Sequence, residues 1–467
     1  MELLLDLEHG EGGLADRLYR QLSAAILGGR LRPGEPLPPS RELAAQLRVS
    51  RATVTLVYER LIAEGHCTAR VGAGTFVSED ARRVPDGSRP SVWGRATGQV
   101  ASATIARPAY DFRVGVPDAA LFPSAAWRRQ LTHELDAHLA RGAHYGDAAG
   151  HTLLREGIAH HIGVARSVSA APDDVVVTAG AIQAIDLLAR VLLRPGDAVA
   201  VEEPGYPPVR QVFEAHGARV ITMPVDEEGA DPSALPPKTR LVYVTPSHQF
   251  PLGVVMSRSR RLTLLEWAAR NRALVIEDDY DSEHRFHDRP LEPLHVLDAD
   301  GVVAYVGTFS KSLVPALRIG YAIPPAGLVP ALRRARELAD GGGDPVAQGA
   351  LGRLIASGEF AAHMRRARRT YRGRHRMLTE ALGDDEHLRM IPSSAGLHVC
   401  AEVPSLPSGS ARRIRDAAAV TGLALEVLDA YCAERPREGL VLGFGAIPAE
   451  HIPDGVRALR SVLRRVS

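Results

Sequence analysis

The sequence predicts an α/β protein with a small N-terminal module and a large module built on a mostly parallel sheet, with a smaller α+β part at its carboxyl end. The first observation is length, because 467 residues exceed what one hydrophobic core usually organises. The second is a helical spacing of apolar residues near the N-terminus, and the third is an alternation of short apolar runs with helical segments beyond it. Two or three domains are therefore expected.

The N-terminal module, residues 1–79, is predicted to contain three helices and a hairpin. Residues 16–29 carry an apolar stripe of helical period. After a Pro-rich turn, Ser40 is expected to cap a second helix that ends at residue 47, and a third helix runs from about residue 51 to 64. Residues 67–77 then read as strand, glycine turn and strand. Two short helices joined by a tight turn and followed by a hairpin form a winged helix-turn-helix.

Five residues of this module are candidates for DNA contact. The polar start of the third helix carries Ser50, Arg51 and Thr53, where Arg can pair with guanine and hydroxyls can bind phosphates. Arg41 opens the preceding helix, and Gly72 allows the hairpin backbone to approach the minor groove closely. Any one of these arginines is more often ordinary solvated surface. The order of the elements, rather than the net charge of +1, favours DNA binding.

The stretches at residues 37–44 and 49–54 resemble the winged helix of the GntR family of bacterial repressors. The resemblance implies the same DNA-facing positions, Arg41, Ser50, Arg51, Thr53 and Gly72. Ala52 and Thr55 stand where relatives often carry larger polar or basic groups, so base preference stays open.

A linker and a large module follow. Residues 80–109 are rich in Pro and Gly with little periodicity and are predicted to be a linker. Residues 110–467 form the large module, whose last part, from about residue 326, is a small α+β subdomain. Apolar runs separated by helices indicate a parallel sheet covered on both faces; the runs are residues 175–177, 198–201, 241–244, 273–276 and 303–306.

Polar residues follow the predicted strands where ligands bind in open α/β sheets. The turn holding Gly180, Ala181 and Ile182 opens a helix, and its free amides suit a phosphate. Tyr206 offers a ring that can stack on a flat heteroaromatic. Asp278 suits a protonated pyridine nitrogen. This ordered set favours one heteroaromatic, phosphorylated ligand, although each residue alone has an ordinary structural explanation.

The fifth strand leads to Thr308, Ser310 and Lys311. A lysine that is partly desolvated beside cationic neighbours has a depressed pKa and forms a Schiff base readily. Arg318, seven residues further on, suits a bidentate phosphate contact, and the phenol of Tyr280 suits an oxygen on the ligand ring.

These residues resemble the motifs of fold-type I aminotransferases over roughly residues 110–467, and the whole chain is similar to the MocR/GabR group of regulators. Residues 244–253 and 277–283 are that group's variants of aminotransferase motifs. The resemblance implies pyridoxal 5'-phosphate as the cofactor. Its implied ligands are Lys311 as the Schiff-base lysine, Asp278 at the pyridine nitrogen, Tyr280 at the 3-oxygen, Tyr206 as the stacking ring, and Arg318, Ser310 and Thr308 at the phosphate.

The sequence also departs from the catalytic aminotransferase pattern. Phe250 replaces an asparagine that binds the 3-oxygen, Ala181 replaces a phosphate-binding hydroxyl, and Leu252 replaces a threonine. Arg435 and Arg437 are candidates for the arginine that grips a substrate carboxylate. These departures favour cofactor binding over efficient transamination.

Three functions were weighed. The favoured one is a transcriptional regulator of amino-acid, amine or vitamin B6 metabolism, which senses pyridoxal phosphate or its aldimine with an amino compound. The alternative is a working aminotransferase with an accessory DNA-binding domain, and the third is a DNA-binding protein with a cofactor-free scaffold. The resemblance further implies a homodimer, perhaps head-to-tail, on an operator with two half-sites.

The remaining features exclude some classes of protein. The acidic start lacks a signal peptide's pattern, no apolar run reaches the roughly 18 residues of a membrane span, and three scattered cysteines form neither a disulfide framework nor a metal motif. A cytoplasmic protein without a metal is therefore expected.

Overall fold

The computed structural model describes residues 13–70, 72–79, 108–281, 283–286, 292–383, 385–393, 395–404, 407 and 409–466. The chain divides into two compact units, Met1–Thr104 and Ile105–Ser467. The predicted linker lies outside the described residues except at positions 108 and 109. Within the described ranges, no helix combines the length and the apolarity that crossing a bilayer requires.

The described part of the first unit is a winged helix-turn-helix, as predicted. Leu18 and Leu22 from the first helix, Leu43 from the second and Val54 and Leu61 from the third are fully buried in one core. The two strands pair antiparallel. The elements are α1 (Leu14–Leu27), α2 (Ser40–Leu47), α3 (Arg51–Ala63), β1 (Cys67–Arg70) and β2 (Gly74–Val77).

The caps of α2 and α3 differ from each other. The prediction that Ser40 caps α2 is wrong: Pro39 occupies the N-cap position, and Ser40 is the first helical residue without a side-chain cap bond. At α3, Ser50 is the N-cap and its Oγ accepts a hydrogen bond from the Thr53 N–H at 3.1 Å. Arg48, in the left-handed conformation, ends α2 and turns the chain toward α3.

The second unit is built on an eight-stranded sheet with a separate four-stranded sheet near the carboxyl end. Its helices are α4 (Ser124–Ala140), α5 (Thr152–Arg166), α6 (Ala181–Leu192), α7 (Pro207–Ala215), α8 (Arg258–Asn271), α9 (Leu294–Leu297), α10 (Val329–Asp340), α11 (Pro345–Ala356), α12 (Glu359–Gly383), α13 (Ser410–Val420) and α14 (Ile452–Val466). Its strands are β3 (Tyr110–Asp111), β4 (Val176–Thr178), β5 (Ala198–Glu203), β6 (Arg219–Asp226), β7 (Gly229–Ala230), β8 (Thr239–Val244), β9 (Leu274–Asp278), β10 (Val303–Thr308), β11 (Gly320–Ile323), β12 (Arg389–Ile391), β13 (His398–Glu402), β14 (Leu423–Ala424), β15 (Glu426–Val427) and β16 (Gly439–Gly443).

The large sheet has the order β4-β11-β10-β9-β8-β5-β6-β7, and its five central strands from β10 to β6 are mutually parallel. The prediction of a mostly parallel sheet is confirmed. Buried clusters cover both faces, which explains why the strands read as continuous apolar runs. The sequence did not predict β11, which runs antiparallel to both β10 and β4.

One segment of the carboxyl-terminal part divides between two sheets. Within residues 423–427, β14 pairs with β3 whereas β15 joins the four-stranded sheet beside β16. Leu425 lies between the two pairings and is buried. This break places Glu426 at the start of a strand, where it reaches the site described below.

The cap of α3 generates a stability prediction. Ser50→Ala should lower the free energy of local opening of α3 by about 1 kcal/mol, because the Thr53 amide loses its side-chain acceptor. Amide hydrogen exchange along α3 measures this locally. Ser40→Ala is the matched control and should cost less, since its hydroxyl makes no cap bond; equal losses in the two variants would contradict this account of the caps.

Candidate functional site

The register of the large sheet brings the polar strand ends to one edge. Asp278, the last residue of β9, pairs with Val306 of β10, and Thr308 at the end of β10 pairs with Gly320 of β11. Gly320 in turn pairs with Thr178 at the end of β4. Because β11 runs opposite to its neighbours, its beginning lies at the edge where they end.

This edge borders a cavity of about 520 Å³. Nine of the ten predicted cofactor residues line it: Ala181, Ile182, Tyr206, Asp278, Tyr280, Thr308, Ser310, Lys311 and Arg318. The tenth, Gly180, lies beside the Arg318 guanidinium, which an added Cβ at this position would meet. The structure therefore brings the whole predicted set together.

One end of the cavity has the features of an anion site. Gly180 is the N-cap of α6, so the free amides of Ala181 and Ile182 stand at a positive helix end. Arg318 Nη2 donates to the Ala179 carbonyl at 2.6 Å. A Cβ at Gly180 would lie 3.2 Å from that nitrogen, so a side chain there would displace the guanidinium.

Two hydroxyls complete this end. Thr308 Oγ1 lies 3.0 Å from Ser310 Oγ and accepts the Ser310 N–H at 3.1 Å. These bonds hold the loop that leads from β10 to Lys311. The set of a helix N-terminus, a guanidinium and two hydroxyls suits a phosphate group.

Lys311 is held toward the cavity by one backbone contact. Its Nζ donates to the Gly115 carbonyl at 2.8 Å, and a Cβ at Gly115 would lie 2.6 Å from Nζ. Burial is the main cause that lowers the pKa of Lys311, against the opposite effect of the Asp281 and Asp278 carboxylates. The charge of Arg318, a cationic neighbour of the predicted kind, also lowers this pKa, but less than burial does.

Asp278 is a buried acid with one free oxygen. Its Oδ2 accepts a hydrogen bond from Tyr243 at 2.8 Å, whereas its Oδ1 is buried without a partner among the described residues. Burial raises the pKa of Asp278 to about 7, and the Tyr243 bond offsets this only in part. Among the described residues, Asp278 Oδ1 therefore has no hydrogen-bonded cation or N–H group to stabilise its charge.

A second buried acid lies close by. Burial raises the pKa of Glu202 to about 7 as well, and the charge of Asp278 adds to the shift. Glu202 Oε2 accepts from Thr245 Oγ1 at 2.5 Å and from Gln249 Nε2 at 3.2 Å. The two acids therefore share one pH range of titration.

Tyr280 is tied to a histidine network. His248 Nδ1 lies 3.0 Å from the Tyr280 hydroxyl and 3.1 Å from Asp281 Oδ2, and its Nε2 lies 2.9 Å from Ser393 Oγ. The atoms of His248, Asp281 and His398 that could bind a metal ion, ring nitrogens and a carboxylate oxygen, lie within 4.8 Å of one another. The sequence did not predict this group. These bonds orient the phenol at the cavity wall.

Aromatic rings form another part of the wall. Tyr206 and Phe250 meet edge to face with ring centroids 5.3 Å apart. Tyr206 remains 38% exposed, so one face of its ring is accessible to a stacking ligand. Phe250, noted above as a departure, makes ring contacts instead of supplying an amide.

The two candidate carboxylate-binding arginines are not part of the cavity wall. Arg437 Nη2 pairs with Glu402 Oε1 at 2.7 Å, and Arg435 is exposed. Arg318 is the only arginine among the described residues that line the cavity.

These residues fit pyridoxal phosphate. The unpartnered Oδ1 of Asp278 suits a protonated ring nitrogen, and the buried amine of Lys311 suits a carbonyl carbon. Arg318, Thr308, Ser310 and the start of α6 suit the phosphate. The fit therefore rests on the donors and acceptors that the fold presents.

The predicted DNA-facing residues lie on the first unit. Arg41 and Arg51 are exposed near the starts of α2 and α3. The Ser50 hydroxyl lies 2.8 Å from that of Thr53 within the cap, so both also serve the helix. Gly72 has φ +77° in the hairpin turn, a conformation that favours glycine.

Several cavity residues were not predicted from the sequence. Tyr243 lies inside an apolar strand, and Glu426 and Tyr431 come from a region without a recognised motif. One available signal was overlooked: Lys238 and Lys311 are the only lysines among 56 Lys and Arg residues. In so arginine-rich a chain, a lysine that follows a predicted strand is a candidate for an amine that can lose its proton when buried.

Two families match different parts of the chain. Residues 111–425 match the family of aminotransferase class I and II. Residues 14–77 match the gntR family of bacterial regulatory proteins.

Two transcriptional regulators match along almost the full length. A probable rhizopine catabolism regulatory protein, MocR of Rhizobium meliloti, is 35% identical over 95% of this chain and 92% of its own. The pyridoxine biosynthesis transcriptional regulator PdxR of Corynebacterium glutamicum is 33% identical, with 98% and 96% covered. A Pyrococcus horikoshii kynurenine aminotransferase solved with PMP has a TM-score of 0.70 at 28% identity and covers 77% of this chain and 91% of its own.

Asp278 generates a pH prediction for protein prepared without pyridoxal phosphate. Its folded pKa of about 7 exceeds the unfolded value of about 3.9. Its stabilising contribution is therefore full below the unfolded pKa and is lost as pH rises through the folded pKa. Asp278→Asn should lose less stability than the wild type between about pH 5 and pH 8, by a few kcal/mol at most.

Urea denaturation across this pH range measures the effect. Glu202→Gln is the matched comparison, because Glu202 titrates in the same range. If the free energy of unfolding changed with pH in the same way for the wild type and Asp278→Asn, ionisation of the buried carboxyl would not destabilise the fold, and the prediction would be wrong.

Proposed function

The chain belongs to the MocR-type regulators, in which a gntR-family DNA-binding module is joined to an aminotransferase class I and II domain, and from this premise we propose that its DNA binding responds to pyridoxal phosphate or to an amino compound combined with it. Pyridoxal phosphate is its cofactor. The proposed target genes serve amino-acid, amine or vitamin B6 metabolism, in keeping with the names of MocR and PdxR.

One observation carries the proposal. Lys311 and Asp278, whose Oδ1 is buried without a partner among the described residues, line the same cavity, in a chain that also holds a winged helix-turn-helix. A scaffold without a cofactor would gain nothing from burying an acid whose oxygen has no partner. A cofactor that pairs with this oxygen stabilises the folded domain.

The residues have distinct roles in this proposal. When bound, pyridoxal phosphate supplies a carbonyl carbon and an electron-withdrawing ring. Lys311 would hold that carbon through Nζ, Asp278 would hold the ring-nitrogen proton at Oδ1, and Tyr280 would donate to the ring oxygen. Tyr206 covers the ring, while Arg318, Thr308, Ser310 and the residues at the start of α6 (Gly180, Ala181 and Ile182) hold the phosphate.

On the DNA side, the exposed start of α3 is proposed to enter the major groove. Arg51 reads a base edge, Arg41 and the Ser50–Thr53 pair contact phosphates, and Gly72 brings the hairpin turn to the minor groove. Leu56, which is 58% exposed on α3, adds an apolar group suited to a thymine methyl.

We further propose a cytoplasmic homodimer on two half-sites. Leu135 and Leu139 are exposed four residues apart on α4, and Tyr145 after it is 98% exposed. An apolar surface of this kind marks protein contacts. A two-fold dimer would present two winged helices to a symmetric operator.

The cofactor role has a direct test in the two lysines. Lys311→Ala should abolish the visible absorption band of lysine-bound pyridoxal phosphate, because no other amine lines the described cavity. Lys238→Ala is the matched control and should keep the band, since Lys238 is exposed. After borohydride reduction, peptide mass spectrometry should find the cofactor mass on the Lys311 peptide alone.

A band that survives in Lys311→Ala would overturn this assignment. Sustained formation of a keto acid from an amino donor by the wild type would favour the aminotransferase alternative over the regulator.

The DNA role is tested in the other unit. Arg51→Ala should weaken binding to the specific operator by about 1–3 kcal/mol, because a bidentate base contact is lost. Fluorescence anisotropy at fixed salt measures this, and cofactor occupancy should not change. Arg30→Ala, exposed on the turn after α1, is the control; an equal loss there would mean that the effect is general electrostatics.

A further inference from the structure

Part of the cavity wall has no role in holding the cofactor. Glu426 lines the cavity with Tyr431, Phe250 and His398. Its Oε1 accepts the Val114 N–H at 3.0 Å, and its Oε2 accepts the Tyr431 hydroxyl. Both donors are neutral, and within the described chain no salt bridge pairs Glu426 with a cation.

Glu426 is also close to the reactive amine. Val114, whose amide it binds, precedes Gly115, whose carbonyl accepts from Lys311 Nζ. Burial raises the pKa of Glu426, and the Val114 hydrogen bond and the charge of Lys311 oppose this rise. A small ligand with one end at the cofactor therefore brings its other end near this carboxylate.

No described cation of the cavity is left for a ligand carboxylate. Lys311 and Arg318 are engaged with the cofactor in the function proposed above. Arg113, next to Val114, is held by Asp111 through its Nε at 2.7 Å and its Nη2 at 2.5 Å. Burial lowers the pKa of His398 to about 3, so this ring is neutral at physiological pH.

The rings that line the same cavity as Glu426 point to the same kind of ligand. The Phe250 centroid lies 5.0 Å from that of Tyr431, 5.3 Å from Tyr206 and 5.9 Å from Tyr280. Aromatic faces attract ammonium groups, more strongly where water is excluded. A carboxylate that contacts one of these rings, Tyr431, favours a cation and repels an anion.

We propose that the effector is a diamine, with one amino group directed to the cofactor and a distal ammonium bound by Glu426 among Tyr431 and Phe250. This inference rests on the proposed function, because it takes the cofactor to occupy Lys311 and Arg318. Glu426 is then the residue that determines specificity for amines over amino acids.

Three ligands with the same number of carbon atoms test the inference. Full-length protein loaded with pyridoxal phosphate is titrated calorimetrically with 1,4-diaminobutane, n-butylamine and 4-aminobutanoate. The diamine should bind at least about tenfold more tightly than butylamine, equivalent to about 1.4 kcal/mol, and 4-aminobutanoate should bind most weakly. This comparison uses the wild type alone, so its result does not depend on whether a variant folds.

Glu426→Gln should reduce the preference for the diamine over butylamine to less than about threefold and should improve binding of 4-aminobutanoate. Glu434→Gln, an exposed position on a nearby segment, should keep the wild-type order. The visible band of each variant verifies that the cofactor is in place.

The outcomes separate the two proposals. A wild type without a visible band would overturn the proposed function itself. A wild type with the band that binds 4-aminobutanoate most tightly would overturn only the diamine inference and would mean that a cation from outside the described residues enters the cavity. Persistence of the diamine preference in Glu426→Gln would remove Glu426 as its determinant.

Discussion

The register of β9, β10, β11 and β4 is the constraint on which the site depends. It places Asp278, Thr308 and Thr178 at one edge of the sheet. Because β11 runs in the opposite direction, Arg318, which precedes β11, lies at the same edge. A shift of one residue in any of these pairings would turn the polar side chains to the opposite face. The apolar clusters on both faces prevent such a shift, because it would bury polar groups and expose core residues.

Much of this arrangement followed from the sequence. Continuous apolar runs predicted a parallel sheet, and ligands bind where such strands end, so residues as far apart as Gly180 and Arg318 were assigned to one site. The structure places Arg318 in the cavity wall and Gly180 beside its guanidinium. The order of helices and hairpin in the first unit was equally readable, since each element has a local signal in periodicity, cap or glycine turn.

Other features depend on tertiary contacts that no local pattern encodes. Strand β11 is short and follows a loop, so its antiparallel insertion left no periodicity to detect. Tyr243 looked like a core residue because it lies in an apolar strand, and only the neighbouring strand gives its hydroxyl a partner in Asp278. Glu426 reaches the cavity because residues 423–427 divide between two sheets. The cap of α2 was misplaced by one residue, since Pro39 and Ser40 both suit a helix start.

The buried acid at Asp278 links the protein's lifetime to its ligand. A ligand that binds only the folded state stabilises it by mass action, by about 2.7 kcal/mol at a hundredfold excess over Kd. Chains without bound cofactor lack this stabilisation, and a less stable chain is more exposed to proteolysis. Under the function proposed above, cofactor supply would therefore act on the amount of folded regulator as well as on its state.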